Sequence, residues 1–277
     1  MRKLGIIAGG RDLPRELIER CRTIGRPHFV IAFKGQTDPE TVKDTEHAWV
    51  HVGAVGQALM HLRQAGVEDL VMVGPLRRPS WTELRPDVKG ALWVARLTRQ
   101  GFGDDSLLRI ITEELEKEGF KVVGVDSLMG DDFLAPLGVM GTVKPDALAQ
   151  QDVKRGIEVA LALGKVDVGQ AVIIQQGMVL GVEALEGTDG LIERCKALAR
   201  PGVGGVLVKI AKPGQDRRVD LPTMGPETVE SAMKTGLRGI AVEAGSVQIL
   251  HRQRLLEKAN QAGIFIMGIQ VDDHSFS

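Results

Sequence analysis

The residues best suited to chemistry lie between Lys209 and Pro226 of the 277-residue chain. Lys209-Ile210-Ala211-Lys212-Pro213 leads into Gln215-Asp216-Arg217-Arg218-Val219-Asp220-Leu221-Pro222-Thr223-Met224-Gly225-Pro226. This run has neither a helical nor a strand period, and such a stretch is costly to order unless it has a role. Its make-up suits phosphoryl transfer, in which cations offset developing charge and carboxylates hold metal or water. An exposed polar loop is the plainer reading. A second acidic group, Glu183-Ala184-Leu185-Glu186-Gly187-Thr188-Asp189, leaves an apolar run, turns at Gly187 and enters a helical pattern. Glu183, Glu186 and Asp189 offer the hard oxygens that Mg²⁺ takes. The alternative is that Thr188 or Asp189 simply caps the next helix.

Two turns in the N-terminal half could hold an anion. Gly9-Gly10 follows a short strand and precedes a helix, where backbone N–H groups converge in α/β folds. Gly74-Pro75-Leu76-Arg77-Arg78-Pro79 follows a buried strand, and the guanidinium groups of Arg77 and Arg78 match phosphate geometry. A tight turn and a solvated basic loop are the plainer readings of these two segments. The spacing gives neither G-x-G-x-x-G nor G-x-x-x-x-G-K-[ST], so a nicotinamide cofactor is disfavoured. Gly103-Asp104-Asp105 reads chiefly as a helix cap, and Trp81 and Trp93 as core or groove residues. The absence of G-x-S-x-G, H-E-x-x-H and any Cys/His cluster disfavours serine hydrolase and zinc chemistry.

The elements that must carry these residues fall into two halves. Over residues 1–130 strands alternate with helices: strands over Lys3–Ala8, His28–Phe33, His47–Val52, Asp69–Gly74 and Lys121–Val125, and helices after Asp12 and over Val55–Gln64, Val88–Arg99 and Asp104–Glu118. That alternation predicts a Rossmann-like, mostly parallel doubly wound sheet. Residues 131–145 carry glycines and prolines with no sustained period and are expected to be a linker. Residues 146–277 restart with a helix over Ala147–Leu163 and mix hairpins with helices, which predicts a mixed α/β domain holding the catalytic run. Within it, Ile240–Val242 and Val247–Leu250 read as strands joined by a turn at Gly245. The tail Asp272–Ser277 is expected to fray.

The composition is 43% hydrophobic with a formal net charge of −1, so no global field attracts nucleic acid. The two cysteines, Cys21 and Cys195, read as buried free thiols. The start Met1-Arg2-Lys3 runs straight into a strand with no secretory pattern, and no apolar run approaches the roughly 18–20 residues of a membrane span. The expectation is a cytoplasmic protein that meets a membrane only peripherally.

Arg2-Lys3-Leu4-Gly5-Ile6-Ile7-Ala8-Gly9-Gly10, Gly103-Asp104-Asp105-Ser106-Leu107-Leu108-Arg109, the Glu183–Asp189 run and Arg218-Val219-Asp220-Leu221-Pro222-Thr223 occur in one order over essentially the whole chain. As an ordered set they resemble the LpxI family of UDP-2,3-diacylglucosamine pyrophosphatases. The resemblance implies two α/β domains and Mg²⁺-dependent hydrolysis of UDP-2,3-diacylglucosamine to 2,3-diacylglucosamine 1-phosphate (lipid X) and UMP, a step of lipid A synthesis in Gram-negative bacteria. Mn²⁺ is the expected substitute metal. The resemblance implies that the lipid is held between the domains, that water attacks the sugar-side phosphate, and that Asp220 is the catalytic carboxylate, acting on water or metal. Lys209, Lys212 and Arg218 are then expected to offset diphosphate charge. Glu183, Glu186 and Asp189 are the candidate metal ligands, and Gly9, Gly10, Gly74, Arg77, Gly187, Thr188 and Thr223 the candidate substrate contacts. An apolar wall for the acyl chains is expected on the helix over Val88–Arg99, through Leu92, Trp93 and Leu97. Expected partners are the UDP-linked lipid and the inner-membrane surface, with a homodimer left open. The competing readings are a nucleotide-dependent oxidoreductase and a non-catalytic lipid or nucleotide carrier.

Overall fold

The computed structural model describes residues 1–77, 84–100, 104–213 and 215–271, with side chains left aside at 97–100, 104–107 and 131. The expectations placed on Arg78, Pro79, Trp81, Leu97, Gly103 and the tail 272–277 lie outside the described residues or side chains.

The N-terminal half is built from β1 (Leu4–Ala8), α1 (Leu13–Thr23), β2 (His28–Phe33), the short α2 (Pro39–Val42), β3 (His47–Val50), α3 (Val55–Gln64), β4 (Asp69–Val73), α4 (Val88–Gln100), α5 (Asp104–Lys117), β5 (Lys121–Val122) and α6 (Asp126–Met129). The five strands form one parallel sheet in the order β3-β2-β1-β4-β5. The strands are apolar on both faces because helices cover both sides of such a sheet; Leu4, Ile6 and Ala8 of β1 are all fully buried. Helix α1 starts with Pro14 in its first turn and buries Leu13, Leu17, Ile18 and Cys21, a 3.6-residue stripe. Trp93 of α4 belongs to the core with Ile31, Leu59, Leu70 and Phe120. Leu92, expected beside it on an apolar wall for the acyl chains, is 61% exposed. The strand expected to reach Val125 stops at Val122, and after Gly124 the chain turns into α6, where the Ser127 hydroxyl donates to the Gly124 carbonyl at 2.7 Å.

The C-terminal half runs β6 (Gly138–Met140), α7 (Ala147–Lys165), β7 (Ala171–Gln175), β8 (Met178–Val182), α8 (Gly187–Cys195), β9 (Val206–Lys209), β10 (Thr223–Met224), α9 (Pro226–Lys234), β11 (Gly239–Glu243), β12 (Gln248–Ile249), α10 (Arg252–Ala262) and β13 (Phe265–Ile269). Six strands form a mixed sheet, β6-β13-β11-β9-β7-β8. Its centre β13-β11-β9 is parallel, and β6, β7 and β8 close its sides antiparallel. Residues 131–145 therefore do more than link, since they supply the edge strand β6. Glycines at 138 and 141 hid the pattern, because a three-residue strand between them is too short to show a period. The strands around Gly245 do not pair with each other: β11 is central in the six-stranded sheet, while β12 pairs in parallel with β10. Helix α7 packs small residues against this sheet; a Cβ on Gly156 would come within 2.4 Å of Val208.

The chain divides into two compact units, Met1–Gly130 with Asp216–Asp220, and Asp131–Gln215 with Leu221–Ser277.

Candidate functional site

The carboxyl ends of the C-terminal strands carry a buried polar network. Lys209 is the last residue of β9, in register with Ala171 of β7, and with Val242 of β11 on the other side. It is only 6% exposed. Its ammonium donates to the Thr188 hydroxyl at 3.0 Å and to the Thr223 carbonyl at 2.8 Å. Thr188, in the first turn of α8, donates its own proton to Glu183 Oε1 at 2.9 Å, and Glu183 Oε2 accepts the Gln170 N–H at 3.2 Å. Burial pulls the Lys209 ammonium below the ordinary lysine range, and the charges of Glu183 and Asp189 oppose that. A buried cation is tolerated only when its donors are matched and a counter-charge is near, and this network supplies both.

The run around Asp220 is ordered in two ways. Asp216–Asp220 groups with the N-terminal unit. There Arg218 donates to both carboxylate oxygens of Asp216, at 3.0 and 2.8 Å, and to Glu116 of α5 at 2.7 Å. The Asp216 hydrogen bonds hold the Arg218 guanidinium above its usual range, and Arg218 holds the Asp216 carboxyl below its own. Val219 packs on the N-terminal core, and the N–H groups of Val219 and Asp220 both donate to the Asp216 carbonyl. Asp220 is half-buried. Immediately beyond it, Leu221 is buried and the chain becomes a strand. The Pro222 and Met224 carbonyls accept the N–H groups of Gln248 and Leu250 at 2.8 and 2.9 Å. The Thr223 hydroxyl donates to Gln248 Oε1 at 3.3 Å. Asp220 thus sits at the joint between a turn clamped by charge and a strand pinned by backbone bonds.

The other expected residues are distributed differently. Lys212 pairs with Asp167 beyond the end of α7, at 2.7 Å. Glu186 pairs with Arg194, one helix face further along, at 2.9 Å. Gly187 takes a left-handed φ of 73° at the start of α8. Among the described residues no three acidic, histidine or cysteine side chains are gathered as a metal set. At the N-terminal sheet, Gly9 and Gly10 donate their N–H groups to the carbonyls of Val73 and Pro75, both at 2.8 Å. A Cβ on Gly9 would lie 2.3 Å from the Gly74 oxygen, and one on Gly74 2.5 Å from the Gly10 oxygen. These glycines let two backbones touch, and the Gly9 and Gly10 amides are already occupied. The backbone of Arg77 is held by the Gln36 amide on both sides, at 3.0 and 3.1 Å.

Sequence reasoning missed Gln170 and Gln248, and also Glu243, whose carboxylate accepts the Ala211 N–H and the Ser246 hydroxyl, both at 2.8 Å. None belongs to a motif; the one available signal is a polar residue ending or interrupting an apolar strand run.

A model of the LpxI N-terminal domain matches residues 3–131, and a model of the LpxI C-terminal domain matches residues 136–267. A protein of Caulobacter vibrioides named UDP-2,3-diacylglucosamine pyrophosphatase LpxI is 37% identical over 276 residues, covering 97% of this chain and 98% of that protein.

Proposed function

Because the chain belongs to the LpxI family, we propose that it hydrolyses the pyrophosphate of UDP-2,3-diacylglucosamine to lipid X and UMP, in lipid A biosynthesis. The observation that carries this is the full-length likeness to the Caulobacter pyrophosphatase. The occupied amides of Gly9 and Gly10 weaken the oxidoreductase reading further, because a dinucleotide needs such amides free.

In this reading water adds to the sugar-side phosphorus, the bond from that phosphorus to the bridging oxygen breaks, and UMP departs with the bridging oxygen. Asp220 is the carboxylate that orients or deprotonates the water. The segments on either side of it are held by the Arg218 clamp and the β10–β12 pairing, so it needs little ordering when the substrate arrives. Mg²⁺ belongs to the same reading, supplying neutralisation of the diphosphate. Mg²⁺ is commonly held by one or two carboxylates together with substrate phosphates, so no three-carboxylate cage is required. A diacyl substrate supports a peripheral position at the cytoplasmic face of the inner membrane as part of this reading; among the described residues no helix is long and apolar enough to cross a bilayer.

The test is turnover in ¹⁸O-water with mass-spectrometric detection. The expected outcome is one ¹⁸O in lipid X and none in UMP, with turnover abolished by EDTA and restored by Mg²⁺ or Mn²⁺. No release of UMP from the purified protein at any metal concentration would leave the carrier reading standing. Label in UMP would move the attack to the other phosphorus.

A further inference from the structure

We propose that Lys209 is a positioning residue for this hydrolysis, fixing through the Thr223 carbonyl the strand that begins three residues after Asp220. The inference rests on the pyrophosphatase reading for its catalytic arm.

Lys209 stands on a central strand whose neighbours β7 and β11 flank it in register, so its backbone is among the firmest in the C-terminal unit. From there its ammonium reaches out to Thr223 on one side and Thr188 on the other. Thr223 lies three residues beyond Asp220, a span of at most about 10 Å of chain. The neighbouring carbonyls, on Pro222 and Met224, accept backbone N–H groups from Gln248 of β12 and from Leu250 just after it. Met224 and Ile249 of this two-stranded ribbon are buried in the core of the six-stranded sheet, and Lys209 adds a directional polar tie from that sheet to the Thr223 carbonyl, and through Thr188 and Glu183 to the start of α8. A two-stranded ribbon has little stability by itself; apolar packing holds its buried face, and the ammonium fixes the direction of its first carbonyl.

Two other roles fit less well. A direct contact with the diphosphate would need the ammonium open to ligand, yet the residue is 6% exposed and donates to two protein oxygens. A role in stability alone is a weak reason to keep a buried charge, since a buried ion pair is often replaceable by apolar residues without loss. A polar network of this kind earns its place by fixing one geometry.

The experiment compares wild type with Lys209→Met and with the double variant Lys209→Met/Glu183→Gln. The double variant removes both buried charges, so that a folded protein is obtained if the single variant leaves Glu183 unpaired and unfolds. Two readouts are taken. In the first, kcat should fall about 10- to 100-fold while KM stays within about threefold, since a misplacement near 1 Å suffices for about a 10²-fold loss. In the second, hydrogen exchange at the Gln248 and Leu250 amides, which bond to Pro222 and Met224, should quicken at least about tenfold, equal to about 1.4 kcal/mol of local opening. Exchange at Ile6 and Val30, in the N-terminal sheet, should be unchanged. A tenfold rise in KM at unchanged kcat would make Lys209 a substrate contact and overturn the proposal. So would unchanged exchange at Gln248 and Leu250 in a folded variant. Absence of UMP from wild type would defeat the activity reading, and the exchange arm would still decide whether Lys209 holds the segment.

Discussion

The carboxyl ends of the two sheets have the same topological promise and different chemistry. In the N-terminal sheet, where the strand order turns back between β1 and β4, an α/β fold ordinarily binds its ligand. Here glycines 9, 10 and 74 bring two loops into backbone contact, and the Gly9 and Gly10 amides donate to carbonyls of β4 and its loop. At the C-terminal sheet the strand ends carry side chains that are hard to bury, Lys209 at the end of β9 and Glu183 just after β8, each less than a tenth exposed. Backbone closure needs only small residues, whereas a buried ammonium must be matched by specific oxygens. The lesson is that glycine at a switch point marks close approach, and a ligand has to be argued from donors left over.

The largest effect should come from Asp220→Ala. Removing a carboxylate that acts on water should lower kcat by about 10²–10⁴-fold. The loss should appear in single-turnover assays, while calorimetry should show lipid X still bound. Retention of more than about a tenth of turnover, a barrier change under about 1.4 kcal/mol, would shift attention from this loop to the Glu183–Asp189 segment.

The comparison breaks most directly at Gly9. Its Cβ would stand 2.3 Å from the Gly74 oxygen and 2.6 Å from that of Pro75, whereas on Gly10 the nearest atom is 3.2 Å away. Gly9→Ala should therefore lower stability by about 1–3 kcal/mol through overpacking, read as a fall in thermal midpoint, and Gly10→Ala by less. A Gly9→Ala protein of wild-type stability but much higher KM would show that the N-terminal turn binds phosphate after all.

Arg218→Lys should do less. Lysine keeps the charge and loses the fork that grips both oxygens of Asp216. Since Arg218 serves Asp216 and Glu116, the expected result is a fall in kcat of about threefold to tenfold, with KM unchanged, as positioning losses go. A KM raised tenfold would assign the guanidinium to the diphosphate.

Much of this architecture was legible in the chain. Strands β2, β7 and β8 and helices α3 and α10 have the ends their periods predict, because each is bounded by a turn residue or a break in the apolar pattern. The family was legible from four ordered motifs. What stayed hidden was partnership. The acidic residues at 183 and 186, candidate metal ligands by their spacing, have separate partners here: Glu186 reaches Arg194 while Glu183 accepts from Thr188. Lys209, Lys212 and Arg218, expected to offset diphosphate charge, each reach different protein oxygens. Spacing along the chain says which residues are near in sequence; their hydrogen-bond partners, 21 and 102 residues away for Thr188–Lys209 and Glu116–Arg218, are set by the fold.

Asp216, which stands outside the matched motif, would be an inert neighbour of Asp220 on sequence grounds; the structure makes it the anchor of Arg218. The smallest predicted effect tests that. Hydrogen bonds from Arg218 hold the Asp216 carboxyl below its ordinary 3.8. A carboxyl depressed in the folded state contributes stability that is full above its unfolded value, near 3.9, and is lost as pH falls through the lower folded value. The contribution is modest, below about 1 kcal/mol, because Arg218 is 43% exposed and Asp216 22%, and solvent screens the pair. Urea midpoints for wild type and Asp216→Asn should differ by a constant amount above about pH 5 and converge as pH drops below about 4. The gap should also shrink in 1 M salt, where the screening length is about 3 Å. A gap that persists unchanged at pH 2.5, or in high salt, would mean that the charge of Asp216 is not what stabilises the loop, and that the clamp beside Asp220 is not electrostatic.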